Sequence, residues 1–138
     1  MSRPYYDFNL LLARITTGGL MFYLHGWSKL LAGPNRWEKL GSTLTNIMGL
    51  DFLSIPLGFM ASFAESIAAL AIIIGLSTRP ASFLLTMTML VAVFKKLPSG
   101  LKGAELPLLF FTLSLIIMLA GAGKYSFDHY LLHKRINE

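Results

Sequence analysis

Four long apolar stretches divide the chain, and the short segments between them carry most of its charge. The stretches run from about residue 8 to 27, 55 to 76, 80 to 97 and 106 to 123. Each is about as long as an α-helix must be to cross a hydrocarbon core of about 30 Å. Backbone amides find no water in such a core, so helices are the expected spanning form. The pattern therefore predicts an all-α membrane protein, with residues 1–138 forming a single four-helix domain.

The segment between the first two stretches has the pattern of a short amphipathic helix. Residues 35–38 have the form of a capping box, with Asn35 as N-cap and Glu38 at the third helical position. Apolar residues then recur at helical spacing until Gly49 ends the segment: Trp37, Leu40, Leu44, Ile47 and Met48. We expect this helix to lie in the membrane interface or to fold over the bundle. An ordinary ordered loop is the alternative.

Composition narrows the classes of function. The chain is 54% hydrophobic and only 14% charged, a balance that suits lipid rather than water as its surroundings. Its net charge of +5 flanks the apolar runs, so lipid headgroups are more plausible partners than nucleic acid. Without cysteine there is no thiol chemistry, and any redox role needs a non-covalently bound cofactor or a partner subunit.

An even number of spans predicts that both termini lie on one side of the membrane. Counting basic residues gives five on the terminal side and six on the other. The positive-inside rule cannot assign an orientation on that difference.

Three ionisable residues lie within the first two apolar stretches. Arg14 lies about two turns into the first span, and His25, eleven residues later, returns to within about 20° of the same helix face. Glu65 lies near the middle of the second span, where an ionised carboxylate is costly unless it has a partner. We expect it to be protonated or paired inside the bundle, and the spacing leaves both Arg14 and His25 open as partners. A purely structural ion pair with Arg14 is the alternative to a functional site.

A second group of polar residues is expected at the membrane edge where the first and third spans end. This group could form a pocket for a quinone headgroup or a small oxyanion, with the lysines acting on negative charge. Its members are His25, Lys29, Lys95, Lys96, Lys102 and Glu105. We expect no metal site, because no histidine pair is recognised at metal-ligand spacing. Met87 and Met89 are interpreted as packing residues.

The ordered set of polar motifs resembles the DoxX-like family of membrane proteins. It comprises Arg14, the run His25-Gly26-Trp27-Ser28-Lys29-Leu30, Glu65, the run Gly75-Leu76-Ser77-Thr78-Arg79, Glu105, and the closing run Gly121-Ala122-Gly123-Lys124-Tyr125-Ser126-Phe127-Asp128. The resemblance implies a four-helix bacterial inner-membrane protein with cytoplasmic termini. It also implies a link to quinone-dependent oxidation of sulfur or thiol compounds, since the family is named after a subunit of a thiosulfate:quinone oxidoreductase.

The resulting hypothesis is a membrane subunit of a quinone-linked redox system. Glu65, Arg14 and His25 would line the quinone or proton site, and Lys29, Lys95, Lys96 and Glu105 the edge pocket. A redox partner subunit and a homo-oligomer are both compatible with this hypothesis. The alternatives are a non-enzymatic membrane scaffold or assembly factor and a small-molecule transporter.

Overall fold

The computed structural model describes residues 4–137, apart from the side chains of Leu44, Ile47 and Asn137. Six helices make up this part of the chain, which contains no strand. They are α1 (4–30), α2 (Pro34–Met48), α3 (Asp51–Ile74), α4 (Thr78–Ser99), α5 (Leu101–Ala120) and α6 (Phe127–Asn137).

The long helices α1, α3, α4 and α5 form a four-membered ring. α1 packs on α3 and α5, and α4 completes the ring by packing on the same two helices. Apolar side chains fill the centre, among them Met21, Ile72, Leu85, Phe110 and Ile117. Large apolar side chains also cover the outside: Leu119, for example, is 70% exposed. Apolar residues on both faces are what a bundle surrounded by lipid requires, and the predicted all-α membrane bundle is confirmed.

Three of the described helices, α3, α4 and α5, are long and apolar enough to cross a bilayer. α1 is less apolar because Asp7, Arg14 and Thr17 lie along it, but all three are buried. With 27 residues it is about 40 Å long. α1 is thus long enough to span, and these three polar side chains face the other helices rather than lipid.

Small residues allow α1 and α3 to pack backbone against backbone. A Cβ added to Gly18 would lie 2.6 Å from the carbonyl oxygen of Ala69, and one added to Gly26 would overlap that of Glu65. The chain directions at these contacts are opposite, so the two helices are antiparallel. Small residues at such a contact let two helix backbones approach closely.

The predicted amphipathic helix is confirmed as α2, but its predicted capping box is wrong. α2 begins at Pro34, preceded by Gly33, so Asn35 lies inside the first turn and makes no N-cap hydrogen bond. Proline suits this first position because its fixed φ is already helical. The helix ends at Gly49, which has the left-handed φ of 68° common at this point.

α2 folds back against the first half of α3. A Cβ on Gly41 would overlap the carbonyl oxygen of Ser54, and one on Gly58 would overlap that of Trp37. The two glycines therefore bring the helix axes unusually close. α2 is a packed element outside the four-helix ring, and it covers the membrane edge where α1 ends.

Candidate functional site

Two π-helical turns face each other at the contact between α1 and α3. They are Phe22–Gly26 in α1 and Ala64–Ala68 in α3. In the first, the Trp27 N–H donates to the carbonyl of Phe22, five residues earlier. Such turns are rare and occur frequently at functional sites. One carries His25 and the other Glu65, so both predicted residues lie where the helices are locally widened.

Glu65 pairs with Lys29. The Lys29 Nζ lies within hydrogen-bond distance of Glu65 Oε2, and the two side chains are 18% and 4% exposed. Neither of the expected partners, Arg14 or His25, makes this ion pair. Helical Cα–Cβ bonds tilt towards the N-terminus. Lys29, at the end of α1, therefore leans back into the bundle and reaches Glu65, whereas Arg14 leans away from it towards the opposite edge.

His25 lies next to the pair with one ring nitrogen unsatisfied. Its ring meets that of Phe110 edge-on, with centroids 6.1 Å apart. Its Nδ1 is buried and has no hydrogen-bond partner among the described residues. The ring lines a cavity of about 80 Å³, here called the histidine cavity, together with Lys29, Glu65 and Lys96. A buried nitrogen without a partner is a position where a ligand or water would gain a hydrogen bond.

A second cavity of about 190 Å³, the α2–α4 cavity, lies on the other side of the ion pair. Lys29, Glu65 and Lys95 supply its charge, and most of its remaining wall is apolar. Ala92 of α4 lines both cavities, as do Lys29 and Glu65. Of the two neighbouring lysines, Lys95 lines the α2–α4 cavity and Lys96 lines the histidine cavity.

α2 covers this site, as the sequence suggested. The indole Nε1 of Trp37 donates to the Lys29 carbonyl at 3.1 Å, which ties α2 to the end of α1. Leu40, Gly41 and Thr43 then line the α2–α4 cavity. Glu105 is exposed and lines neither the histidine cavity nor the α2–α4 cavity, and the same is true of Lys102.

Arg14 belongs to a different hydrogen-bond network, at the opposite edge of the bundle, where the start of α1 meets the turn after α5. It is 1% exposed, and its Nη1 and Nη2 donate to the carbonyls of Ala122 and Tyr125, the latter at 2.5 Å. Nearby, Asp7 Oδ1 accepts the Lys124 N–H at 3.1 Å. These bonds join the start of α1 to the turn after α5. Both described ends of the chain therefore lie on the same side. The structural ion pair between Arg14 and Glu65, which was the alternative to a functional site, does not form.

Asp128, the last residue of the closing Gly-x-Gly-Lys-Tyr-Ser-x-Asp run, binds the turn between α3 and α4. Its Oδ1 and Oδ2 accept the N–H groups of Ser77 and Thr78 at 2.6 and 2.9 Å, and its own N–H donates to Gly75 at 2.9 Å. Ser77 has a left-handed φ of 47°, a costly conformation for a residue with a side chain. The carboxylate thus holds the strained turn between α3 and α4.

Several cavity residues were not predicted. Met21, Met89 and Phe110 line the histidine cavity, and Met87 and Thr88 line the α2–α4 cavity. They occupy ordinary apolar or hydroxyl positions of spanning helices, so no pattern in the sequence distinguishes them from core residues. One histidine pair was also missed. His129 and His133 are four residues apart on α6, a metal-ligand spacing, and their ring centroids lie 4.9 Å apart.

The fold and site define an all-α membrane bundle with an interior lysine–glutamate pair between two cavities. The chain belongs to the DoxX family, which it matches over residues 9–96. The matched part includes Arg14, His25, Lys29, Glu65 and Arg79, whereas Glu105 and Asp128 lie beyond it. The chain is also similar to an uncharacterized protein of Haemophilus influenzae, with 30% identity over 140 residues, 96% of this chain and 95% of the relative. No solved structure matches it.

Proposed function

We propose that this protein is a membrane subunit of a quinone-linked system that oxidises sulfur or thiol compounds, and that quinone binds at the Lys29–Glu65 pair. The observation that carries the proposal is the position of this pair between two cavities, one of them with the unsatisfied Nδ1 of His25. Membership of the DoxX family supports the same class of function.

The residues suit a quinone headgroup chemically. Its two carbonyl oxygens are hydrogen-bond acceptors, and Lys29 and a protonated His25 nitrogen are donors. Quinone reduction takes up two electrons and two protons. His25 and Glu65 are the acid–base side chains next to the cavities, and they would relay protons to a bound headgroup. The apolar wall of the α2–α4 cavity suits the ring and the isoprenoid tail.

The electrons have to come from a partner. The chain has no cysteine, so it cannot form the sulfur-bonded intermediates that thiol oxidation uses. A redox subunit bound to the bundle would supply the electrons, and Lys95 and Lys96 would attract an anionic sulfur substrate or an acidic surface of that subunit. We further propose the bacterial inner membrane as its location, with cytoplasmic termini.

Tryptophan fluorescence offers a direct test, because Trp37 contacts the site through the Lys29 carbonyl. A Trp27→Phe background leaves Trp37 as the single tryptophan. A short-chain ubiquinone titrated into this protein in nanodiscs should quench its emission saturably. His25→Phe and Lys29→Met should each weaken the apparent affinity about tenfold, because each removes one of the two donors to the headgroup.

Lys102→Met is the matched control, because it removes a lysine charge from an exposed position at the same edge. It should leave quenching unchanged. Quenching that rises linearly with quinone, or that is equal in all variants, would contradict quinone binding at this pair.

A scaffold or assembly factor is the second candidate, and the Arg14 network favours it. There a buried charge donates to two backbone carbonyls and joins two segments of the chain, which is a structural use. If this function is correct, a co-purifying partner should bind the Lys29→Met/Glu65→Gln protein as tightly as the wild type, and its activity should be unaffected.

A further inference from the structure

A third cavity lies at the edge opposite the ion pair. This terminal cavity has a volume of about 780 Å³ and is open to the outside. Its wall is formed by the start of α4, the turn between α5 and α6, and α6 itself. It shares no residue with the histidine cavity or the α2–α4 cavity, so the proposed quinone site does not account for it.

Charge in the terminal cavity favours an anion. Arg79, Lys124 and Arg135 line it, together with Asp7 and Asp128. Both carboxylates already accept backbone N–H groups: Asp128 from Ser77 and Thr78, Asp7 from Lys124. Their oxygens are therefore turned towards the protein backbone.

The two arginines are differently placed. Neither Arg79 nor Arg135 makes a hydrogen bond or ion pair with another described residue, and both side chains are exposed. The Arg79 guanidinium lies beside Gly121, with Nε 3.5 Å from where a Cβ would be, so no side chain separates it from the turn. A guanidinium presents paired N–H donors whose geometry matches the oxygens of a phosphate group.

The wall also has an apolar part, which points to an amphiphile. Leu131 and Leu132 line the cavity beside the arginines. On the same helix Tyr130 and Ile136 are 63% and 77% exposed, while Lys134 and Arg135 supply positive charge. A short helix with exposed apolar and basic residues is typical of a segment that lies in the membrane interface.

We infer that the terminal cavity binds the headgroup of an anionic phospholipid. The phosphodiester lies between Arg79 and Arg135, and the acyl chains extend over Leu131 and Leu132 into the bilayer. Basic pockets between spanning helices are a known type of headgroup site. A free phosphate ester would satisfy the arginines equally well but would leave the leucines exposed to water, so the lipid is the better fit.

Native mass spectrometry of the full-length protein in detergent tests this inference. The protein would be mixed with equal amounts of phosphatidylglycerol and phosphatidylcholine, and the lipid retained on it would be measured. Phosphatidylglycerol should be preferred, and Arg79→Gln and Arg135→Gln should each reduce its retention about fivefold, the usual contribution of one basic residue near a membrane surface. The double variant should show no preference.

The control is the double variant Arg36→Gln/Lys102→Gln, which removes the same charge from exposed positions at the opposite edge. It should keep the preference of the wild type. Equal retention of both lipids by the wild type, or an equal loss in the control, would overturn the site. A third sample with inorganic phosphate alone distinguishes the two sources of the anion. Displacement of phosphatidylglycerol by millimolar phosphate would overturn the assignment to a lipid.

Discussion

The Lys29 ammonium reaches from the end of α1 to the Glu65 carboxylate in a π-helical turn of α3, and this contact joins the two helices within the bundle. The partners are unequally buried, since Glu65 is enclosed and Lys29 keeps part of its side chain near the membrane edge. Their removal should therefore have unequal consequences.

Lys29→Met should destabilise the protein more than Glu65→Gln. The first leaves a buried carboxylate without its cation, a change that costs about 3 to 5 kcal/mol. The second leaves a lysine that can turn its ammonium towards water. The double variant should recover much of the loss from Lys29→Met, because both charges are then gone. Unfolding by denaturing detergent, followed by circular dichroism, measures all three, and equal losses in the two single variants would contradict this assignment of the pair.

Gly26→Ala should separate the two π-helical turns. The added methyl group would overlap the Glu65 carbonyl, so α1 or α3 must move, at a cost of about 1 to 3 kcal/mol. Gly19→Ala is the control on the same helix, because a Cβ there has no neighbour within 4 Å. It should be neutral or slightly stabilising. A thermal unfolding experiment on both variants would show the difference, and similar melting temperatures would argue against close packing at Gly26.

Gly41→Ala should detach α2 from α3. Its methyl group would overlap the Ser54 carbonyl. Because this obstacle is backbone and not the flexible end of a side chain, one of the two helices has to move. Detachment would expose Trp37, so its emission in the Trp27→Phe background should move to longer wavelength. Gly103→Ala makes only ordinary contacts, 3.7 Å from Lys96 O and Ser99 Cβ, and should leave the spectrum unchanged. An unaltered spectrum in Gly41→Ala would contradict the packing of α2.

Arg14→Lys should destabilise the terminal edge without affecting the ion-pair site. A lysine cannot present the two separate N–H groups that bind the Ala122 and Tyr125 carbonyls, so at least one buried carbonyl loses its donor, at a cost of about 1 to 3 kcal/mol. Quinone titration of the folded variant should give the wild-type affinity. Arg36→Lys, at an exposed position, is the control for stability. A weakened quinone affinity in Arg14→Lys would contradict the assignment of Arg14 to a separate structural network.

Apolar patterning was sufficient to predict the helices, because segment length and hydropathy decide what can lie in lipid. It predicted all four long helices and α2, with boundaries displaced by a few residues: α3 begins at Asp51 rather than 55, and α5 at Leu101 rather than 106. The capping box failed because Asn35 is only one residue from Pro34, and local signals this close together compete. The free-energy cost of an ionised carboxylate in lipid also predicted that Glu65 lies inside the bundle and needs a partner.

The partner itself was decided only by the tertiary structure. The sequence spacing left both Arg14 and His25 open as partners of Glu65. Spacing alone does not include the tilt of side chains towards the helix N-terminus, or the π-helical turns that shift the register. Both effects act through the packing of α1 on α3, where Gly26 meets the Glu65 backbone. The cavities arise in the same way, between helices that are distant in sequence. A single sequence therefore determines which residues must be buried in this protein, and only the packed bundle determines which of them meet.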